Sequence, residues 1–186
     1  FEHEFVSKAY FSRQNKGIGW TVTSADFSQL LTDAKNKRKT YAQDSSTTAY
    51  RIFNQDGDGF GGMTIDIYGD YALFSWYNAF IYTLKDEILS AFQTVFPEIL
   101  GAYEKVRFES KLPISSHIYG KVAPEKFIIL ENGVKYQVFL NDGLMTGIFL
   151  DQHEVRGALL EYLAAGKDIL NLFSYTAAFS VASAMG

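Results

Sequence analysis

The chain has 186 residues, 47% of them hydrophobic and 16% aromatic, enough to build one large core or two small ones. A net charge of −4 supplies no overall basic field, so any contact with a polyanion has to come from a local patch. Cysteine is absent, which removes disulfides, thiolate nucleophiles and cysteine metal sites. No apolar run is long enough to span a bilayer and FEHEFVSKAYFS carries no signal core, so a cytoplasmic protein without a membrane partner is expected.

Residues 1–20 alternate aromatic and polar side chains around the turn signal Asn15-Lys16-Gly17 and read as a hairpin. Ser24 is a candidate N-cap for a helix that places Phe27, Leu30, Leu31 and Ala34 on one face. That helix runs into Lys35, Lys37, Arg38 and Lys39. Cations there suit a helix carboxyl end on a solvated face, and they are also the chain's candidate phosphate-binding patch.

Ala49 to Phe53 reads as a strand, and DGDGFGG (56–62) as a loop. Asp56 and Asp58 have calcium-loop spacing, but Phe60 occupies the third ligand position and no glutamate closes the site, which argues against a metal. MTIDIYGDYALFSWY (63–77) is two alternating strands around Tyr68-Gly69-Asp70. From Ala79 to Phe96 apolar residues recur at helical spacing up to Pro97. A strand over Glu104–Phe108 follows, and then a hairpin over 126–140 with its turn at Glu131-Asn132-Gly133. Residues 50–140 therefore form an α+β unit.

The character changes at NDGLMTGIFLDQHEVRGALLEYLAAG (141–166), a glycine-containing segment that enters a helix near Asp151 and ends at Gly166. In DILNLFSYTAAFSVASAMG (168–186), Ile169, Leu170 and Leu172 suit a strand covered on both faces. Ser174, Tyr175 and Thr176 make a hydroxyl-rich loop, and Thr176 is a candidate N-cap for a helix begun by Ala177 and Ala178. In open α/β sheets ligands sit at the carboxyl ends of strands, where residues 171–177 would be. The segment lacks the spaced glycines of a dinucleotide fingerprint, which disfavours a dehydrogenase. Phe1 is not an initiator residue and the chain ends inside the last expected helix, so both ends read as cuts in a longer protein.

TGIFLDQHEVR (146–156), the 168–186 segment and AYRIFNQDGDGFGGMTIDIYGD (49–70) together resemble the bacterial S-adenosylmethionine-dependent 23S ribosomal RNA methyltransferases of the large-subunit methyltransferase I family or a close relative. The resemblance covers about residues 25–186. It implies an α/β fold: an α+β central domain followed by the start of a Rossmann-like class I methyltransferase domain. Residues 1–23 would be the remnant of an amino-terminal PUA-like RNA-binding domain, 24–48 a connecting helix, 49–140 the central domain, and 141–186 the truncated start of the cofactor-binding domain.

The implied cofactor is S-adenosylmethionine. Asn171, Phe173, Ser174, Tyr175 and Thr176 would hold it, with Thr146, Phe149 and Gln152 closing the pocket from the other side. Ribosomal RNA would be the partner, and a homodimer is left open. The sequence departs from the family pattern at His153, usually arginine, and at Ala177, usually glycine. His153 is expected to be an exposed helix residue near Asp151 and Glu154, and Ala177 to be accommodated if its backbone angles are ordinary. The carboxylate that normally holds the ribose hydroxyls and the acceptor-site loop have no counterpart in the sequence, so catalytic residues stay unassigned and the segment alone is expected to be inactive. A non-catalytic RNA-binding module derived from such an enzyme is the alternative.

Overall fold

The computed structural model describes residues 26–186, together with the backbone of Lys8–Tyr10 (β1) and Trp20–Val22 (β2). These two strands pair antiparallel, Lys8 opposite Val22, as a hairpin requires. Its Asn15-Lys16-Gly17 turn and Ser24 lie outside the described residues. The helix that follows, α1 (Phe27–Lys37), is capped by Asp26, whose carboxylate accepts a hydrogen bond from the Gln29 amide at 3.0 Å. A short helix, α2 (Lys39–Gln43), continues from it.

The fold is a mixed α/β arrangement around a five-stranded sheet of β3 (Ala49–Asn54), β4 (Met63–Tyr68), β5 (Tyr71–Trp76), β6 (Gly101–Val106) and β7 (Ser115–Gly120), in that spatial order. Strands β3, β4 and β5 form an antiparallel meander, while β5 and β6 run parallel. Parallel neighbours need a crossover. It is supplied by α3 (Ala79–Thr83) and α4 (Lys85–Val95), where the sequence predicts one helix. The interruption at Leu84 brings the Lys85 ammonium to 2.8 Å from the buried Glu104 carboxylate, which also accepts from the Trp76 indole at 3.0 Å and the Ser116 hydroxyl at 2.8 Å. A tertiary ion pair has overridden helical continuity.

Strand β6 begins three residues before the expected Glu104, at Gly101, and β7 is not legible in the sequence. The reason is burial. Strand β7 is a half-exposed edge strand without clear apolar alternation. At the start of the pair Gly101 faces Gly120, and a Cβ on Gly120 (φ +75°) would fall 2.1 Å from the Leu100 carbonyl oxygen.

Alternation sorts the central strands onto two faces. Met63, Ile65, Ile67, Ala72, Phe74, Trp76 and Ala102 point to one, where Phe27, Leu31 and Ala34 of α1 and Ile88 and Phe92 of α4 cover them. The 24–48 stretch, expected as a connector, thus places α1 directly on this core. On the other face Tyr68, Leu73 and Tyr103 meet the hairpin β8 (Phe127–Glu131) and β9 (Val134–Val138) through Ile129, Val134 and Val138. Because both faces are covered, every residue of β4 is buried.

After β9, residues 139–149 cross this second face and enter a short 3₁₀ turn (Leu150–Gln152), then α5 (His153–Ala158) and a wide π-type turn over Leu159–Leu163. Helix α6 (Ala178–Met185) ends the described fold. The strand expected at 168–172 is not formed. Those residues carry no regular structure, with Ile169, Leu170 and Leu172 exposed by 45%, 81% and 68%. A buried parallel strand needs ladder partners and cover on both faces, and among the described residues no strand pairs with this stretch.

Candidate cofactor-binding site

The site grows from the 139–149 segment. Lys105 on β6 donates to the carbonyls of Asp142 (3.3 Å) and Gly143 (2.6 Å), and Arg107 donates to that of Leu144 (2.9 Å). The segment is therefore strapped to the sheet by its own backbone. Thr146, 7% exposed, donates its hydroxyl to the Ile148 carbonyl at 3.2 Å. Having spent its proton there, it accepts from the Tyr68 hydroxyl at 3.0 Å.

Gly147 is the junction. It has φ +101°, a left-handed conformation that suits glycine. Its amide donates to the Tyr175 hydroxyl at 3.1 Å, and its carbonyl accepts from the Thr176 hydroxyl at 2.6 Å. Phe149, two residues on, packs its ring on Tyr175 with centroids 5.5 Å apart. The two stretches that the sequence analysis assigned to opposite sides of one pocket, around 146–149 and 171–176, are thus in contact.

Beneath this contact lies the buried pair Arg156 and Glu131, 2% and 1% exposed at the side chain. Arg156 binds both carboxylate oxygens, at 2.5 and 2.8 Å, donates to the Phe149 carbonyl at 2.7 Å, and lies over the Phe179 ring at 5.3 Å. One guanidinium joins β8, the 3₁₀ turn and α6. Asn171 donates to the Ser180 hydroxyl at 2.9 Å, holding the loop to the first turn of α6. Gln152 is half-buried at the end of the 3₁₀ turn, Ser174 is exposed, and Phe173 is fully exposed.

Two local expectations change here. Thr176 does not cap α6, since its hydroxyl is committed to Gly147; the cap position is Ala177, and no side chain caps the helix. Nor is the Ala177 backbone ordinary. It sits at φ +63°, ψ +24°, with Phe173 and Tyr175 also left-handed at φ +56° and +52°. A Cβ in that region costs roughly 1–2 kcal/mol, partly offset in any replacement by the greater freedom of an unfolded glycine, about 0.4–1 kcal/mol. Ala177→Gly is accordingly expected to stabilise the chain by about 0.5–1 kcal/mol in urea denaturation; a loss of stability would show that the left-handed geometry is wrong.

His153 is not exposed either. Its side chain is 16% accessible, its ring meets Tyr41 edge-on at 5.7 Å, and its Nδ1 lies 3.4 Å from Glu154. The contact arises because Tyr41 also donates its hydroxyl to Glu154, which draws α2 against α5.

The cations at 35–39 are largely spent within the fold. Lys35 donates to the Val95 carbonyl and to Glu98, both at 2.8 Å; Lys37 pairs with Asp58 at 3.1 Å; Arg38 binds both Asp58 oxygens at 3.0 and 2.6 Å. Burial alone would raise the Asp58 pKa, but hydrogen bonds from Arg38, the Asn54 amide and Lys37 outweigh it and hold it below the usual carboxylate value. Lys39 is exposed at the start of α2. The sequence reading missed Gly147, Arg156, Lys105 and Arg107 as site-building residues. For Lys105 a signal existed: alternation places a lysine at a covered strand position, where burial and repulsion from Arg107 push its ammonium down to about 8 against the pull of Asp142.

Residues 111–186 match the family of S-adenosylmethionine-dependent methyltransferases. Over 98% of its length the chain is 44% identical to YwbD of Bacillus subtilis (strain 168), provisionally named a ribosomal RNA large subunit methyltransferase, and 32% identical to ribosomal RNA large subunit methyltransferase I of Yersinia pseudotuberculosis. It covers 49% of each, so the chain spans about half the length of the curated relatives it matches. A solved structure from Streptococcus mutans, provisionally described as an S-adenosylmethionine-dependent methyltransferase, superposes with a TM-score of 0.88 at 60% identity, over 96% of this chain and 48% of that one. A second, with the same scores, is described as a methyltransferase complexed with SAH. Over nearly its whole length the chain is similar to proteins named ribosomal RNA large subunit methyltransferases.

Proposed function

We propose that this chain is part of an enzyme that transfers a methyl group from S-adenosylmethionine to a base of large-subunit ribosomal RNA in the cytoplasm. Residues 141–186 would open the cofactor-binding domain and 49–140 form the central domain, with residues 1–23 the remnant of a PUA-like domain, 24–48 a connector, and a homodimer as the assembly. The observation that carries the reading is the clasp at Gly147, which brings the 146–149 segment against the 173–176 loop. Homology over nearly the whole chain to proteins named for this activity supports it.

The residues present fit such a cofactor. Helix α6 has no side-chain cap, so its first-turn N–H groups are left for a carboxylate such as that of the methionine part, which the helix dipole favours. Ser174 and the backbone of Phe173–Ala177 would hold that part, with Asn171 fixing the loop to α6. Phe149 and Tyr175 supply an aromatic wall suited to a sulfonium, and Thr146, Gly147 and Gln152 close the opposite side. When bound, S-adenosylmethionine supplies a methyl group open to in-line displacement. The chain's part is to hold the cofactor, orient it and shield it from water. Of the 35–39 stretch, Lys39 and the exposed flank of Lys37 would face RNA.

Isothermal titration of S-adenosylhomocysteine tests the assignment. The protein in its full natural length is expected to bind on the micromolar scale, and residues 1–186 alone only weakly; absence of binding by the full-length form would sink the methyltransferase reading.

A further inference from the structure

The two cations that strap the 139–149 segment differ from the ion-paired cations of the fold. Lys35, Lys37, Arg38, Arg51, Lys85 and Arg156 each pair with a carboxylate. Among the described residues Lys105 and Arg107 have none. Lys105 is wholly buried with only the Ser115 hydroxyl and two carbonyls as partners. Arg107 has one carbonyl, and its Nε is buried without a hydrogen-bond partner. In the preceding row of the same sheet face the Thr64 hydroxyl, 1% exposed, is also unpartnered. Asp142 acts on Lys105, and Asp66 on Arg107, only at a distance, so neither cation is directly ion-paired and together they concentrate positive potential at this end of the sheet.

What surrounds them is not generic. The Arg107 guanidinium lies over the ring of Tyr77 at 5.7 Å, and Tyr77 is 36% exposed. Beside them Leu144 and Met145 are 39% and 38% exposed. A half-buried arginine with a spare donor, an accessible aromatic ring and an apolar shelf is the combination that takes a phosphate and an unstacked base of single-stranded RNA. Placement agrees, because Leu144 and Met145 immediately precede Thr146 and Gly147 in the strap that clasps the 173–176 loop.

We propose that Tyr77, Arg107 and the Leu144–Met145 turn form a docking site for the backbone and one unstacked base of the RNA substrate, with Lys105 holding the turn from beneath. The proposal rests on the methyltransferase reading for the identity of the RNA as substrate. It assigns this role to the second face of the sheet, away from the carboxylate-paired 35–39 stretch.

The test is fluorescence anisotropy of a labelled single-stranded RNA transcribed from the large-subunit ribosomal sequence, measured across a potassium chloride series with the full-length protein. Arg107→Gln is expected to weaken binding about tenfold and lower the salt slope by about one. Tyr77→Ala is expected to weaken it about tenfold without changing the slope. Arg107→Lys, which keeps the charge but loses the planar fork, should keep the slope and lose part of the affinity. Circular dichroism of each variant verifies that it is folded, and S-adenosylhomocysteine titration of the parent protein tests the methyltransferase reading separately. RNA affinity and slope equal to the parent's in variants that keep the parent's circular dichroism overturn the docking site. A parent protein that binds RNA with this dependence on Arg107 and Tyr77 but not S-adenosylhomocysteine instead overturns the methyltransferase reading and leaves the docking site standing.

Discussion

Arg156→Ala is expected to lower the unfolding free energy by about 3–5 kcal/mol, the cost of leaving a buried carboxylate without its partner. Glu131 is 1% exposed at the side chain and Arg156 supplies both of its side-chain hydrogen bonds, so water cannot compensate without opening the fold. The same substitution releases the Phe149 carbonyl and the face of Phe179, loosening the 3₁₀ turn and α6 together. Arg156→Lys should not rescue it, because one ammonium cannot span both carboxylate oxygens and the Phe149 carbonyl. Replacing both partners by apolar residues, Glu131→Leu with Arg156→Met, should recover most of the stability, since the penalty belongs to the unpaired charge. Urea denaturation of the three variants decides the matter; a single-site loss under about 1 kcal/mol would mean that the pair is solvated.

Trp76→Ala is the second large effect, expected at about 3–5 kcal/mol for an aromatic removed from a close-packed core. The Trp76 ring is fully buried, stacked on Phe74 at 5.6 Å and meeting Tyr82 edge-on at 5.8 Å. Its indole N–H also donates to Glu104. Trp76→Phe separates the two contributions: it keeps most of the packing and removes the charged hydrogen bond, for an expected loss of about 1.5–3 kcal/mol. Circular dichroism is the suitable probe, because the variants remove one of the chain's two tryptophans and with it a fluorescence signal from the core. Equal losses in the two variants would mean that Glu104, not the ring packing, carries the energy.

The elements read correctly from the sequence are those in which local and tertiary preferences agree. Strands β4 and β5 alternate around Gly69-Asp70, and β8 and β9 around Asn132-Gly133, so turn chemistry and side-chain period point the same way. Where they diverge, the sequence misleads. The apolar spacing of 79–96 carries no trace of the Lys85–Glu104 pair that divides the helix, because Glu104 lies on a strand across the sheet. Strand β7 is half-exposed and has no apolar rhythm to detect. Residues 168–172 have the composition of a doubly covered strand without the ladder partners that make one.

For the site, the family resemblance indicated which two segments to join but not the atom that joins them. Gly147 contributes its backbone alone, and backbone groups leave no pattern in a sequence. Arg156 could have been suspected as a cation on the buried side of an amphipathic helix. Its partner, however, lies at the end of a strand well upstream, and only the fold makes them neighbours.

The Gly147 clasp also divides the molecule by how its parts open. Ladder amides in β4 and β5 are released only when the sheet comes apart, since each is flanked by others on both sides. The Gly147 amide has a tyrosine hydroxyl as its acceptor, carried on a half-exposed loop, so it is freed when that loop lifts while the sheet stays whole. Loop opening is thus a local excursion on its own clock, opposed at this contact by two hydrogen bonds and one ring contact rather than by the global stability of the domain.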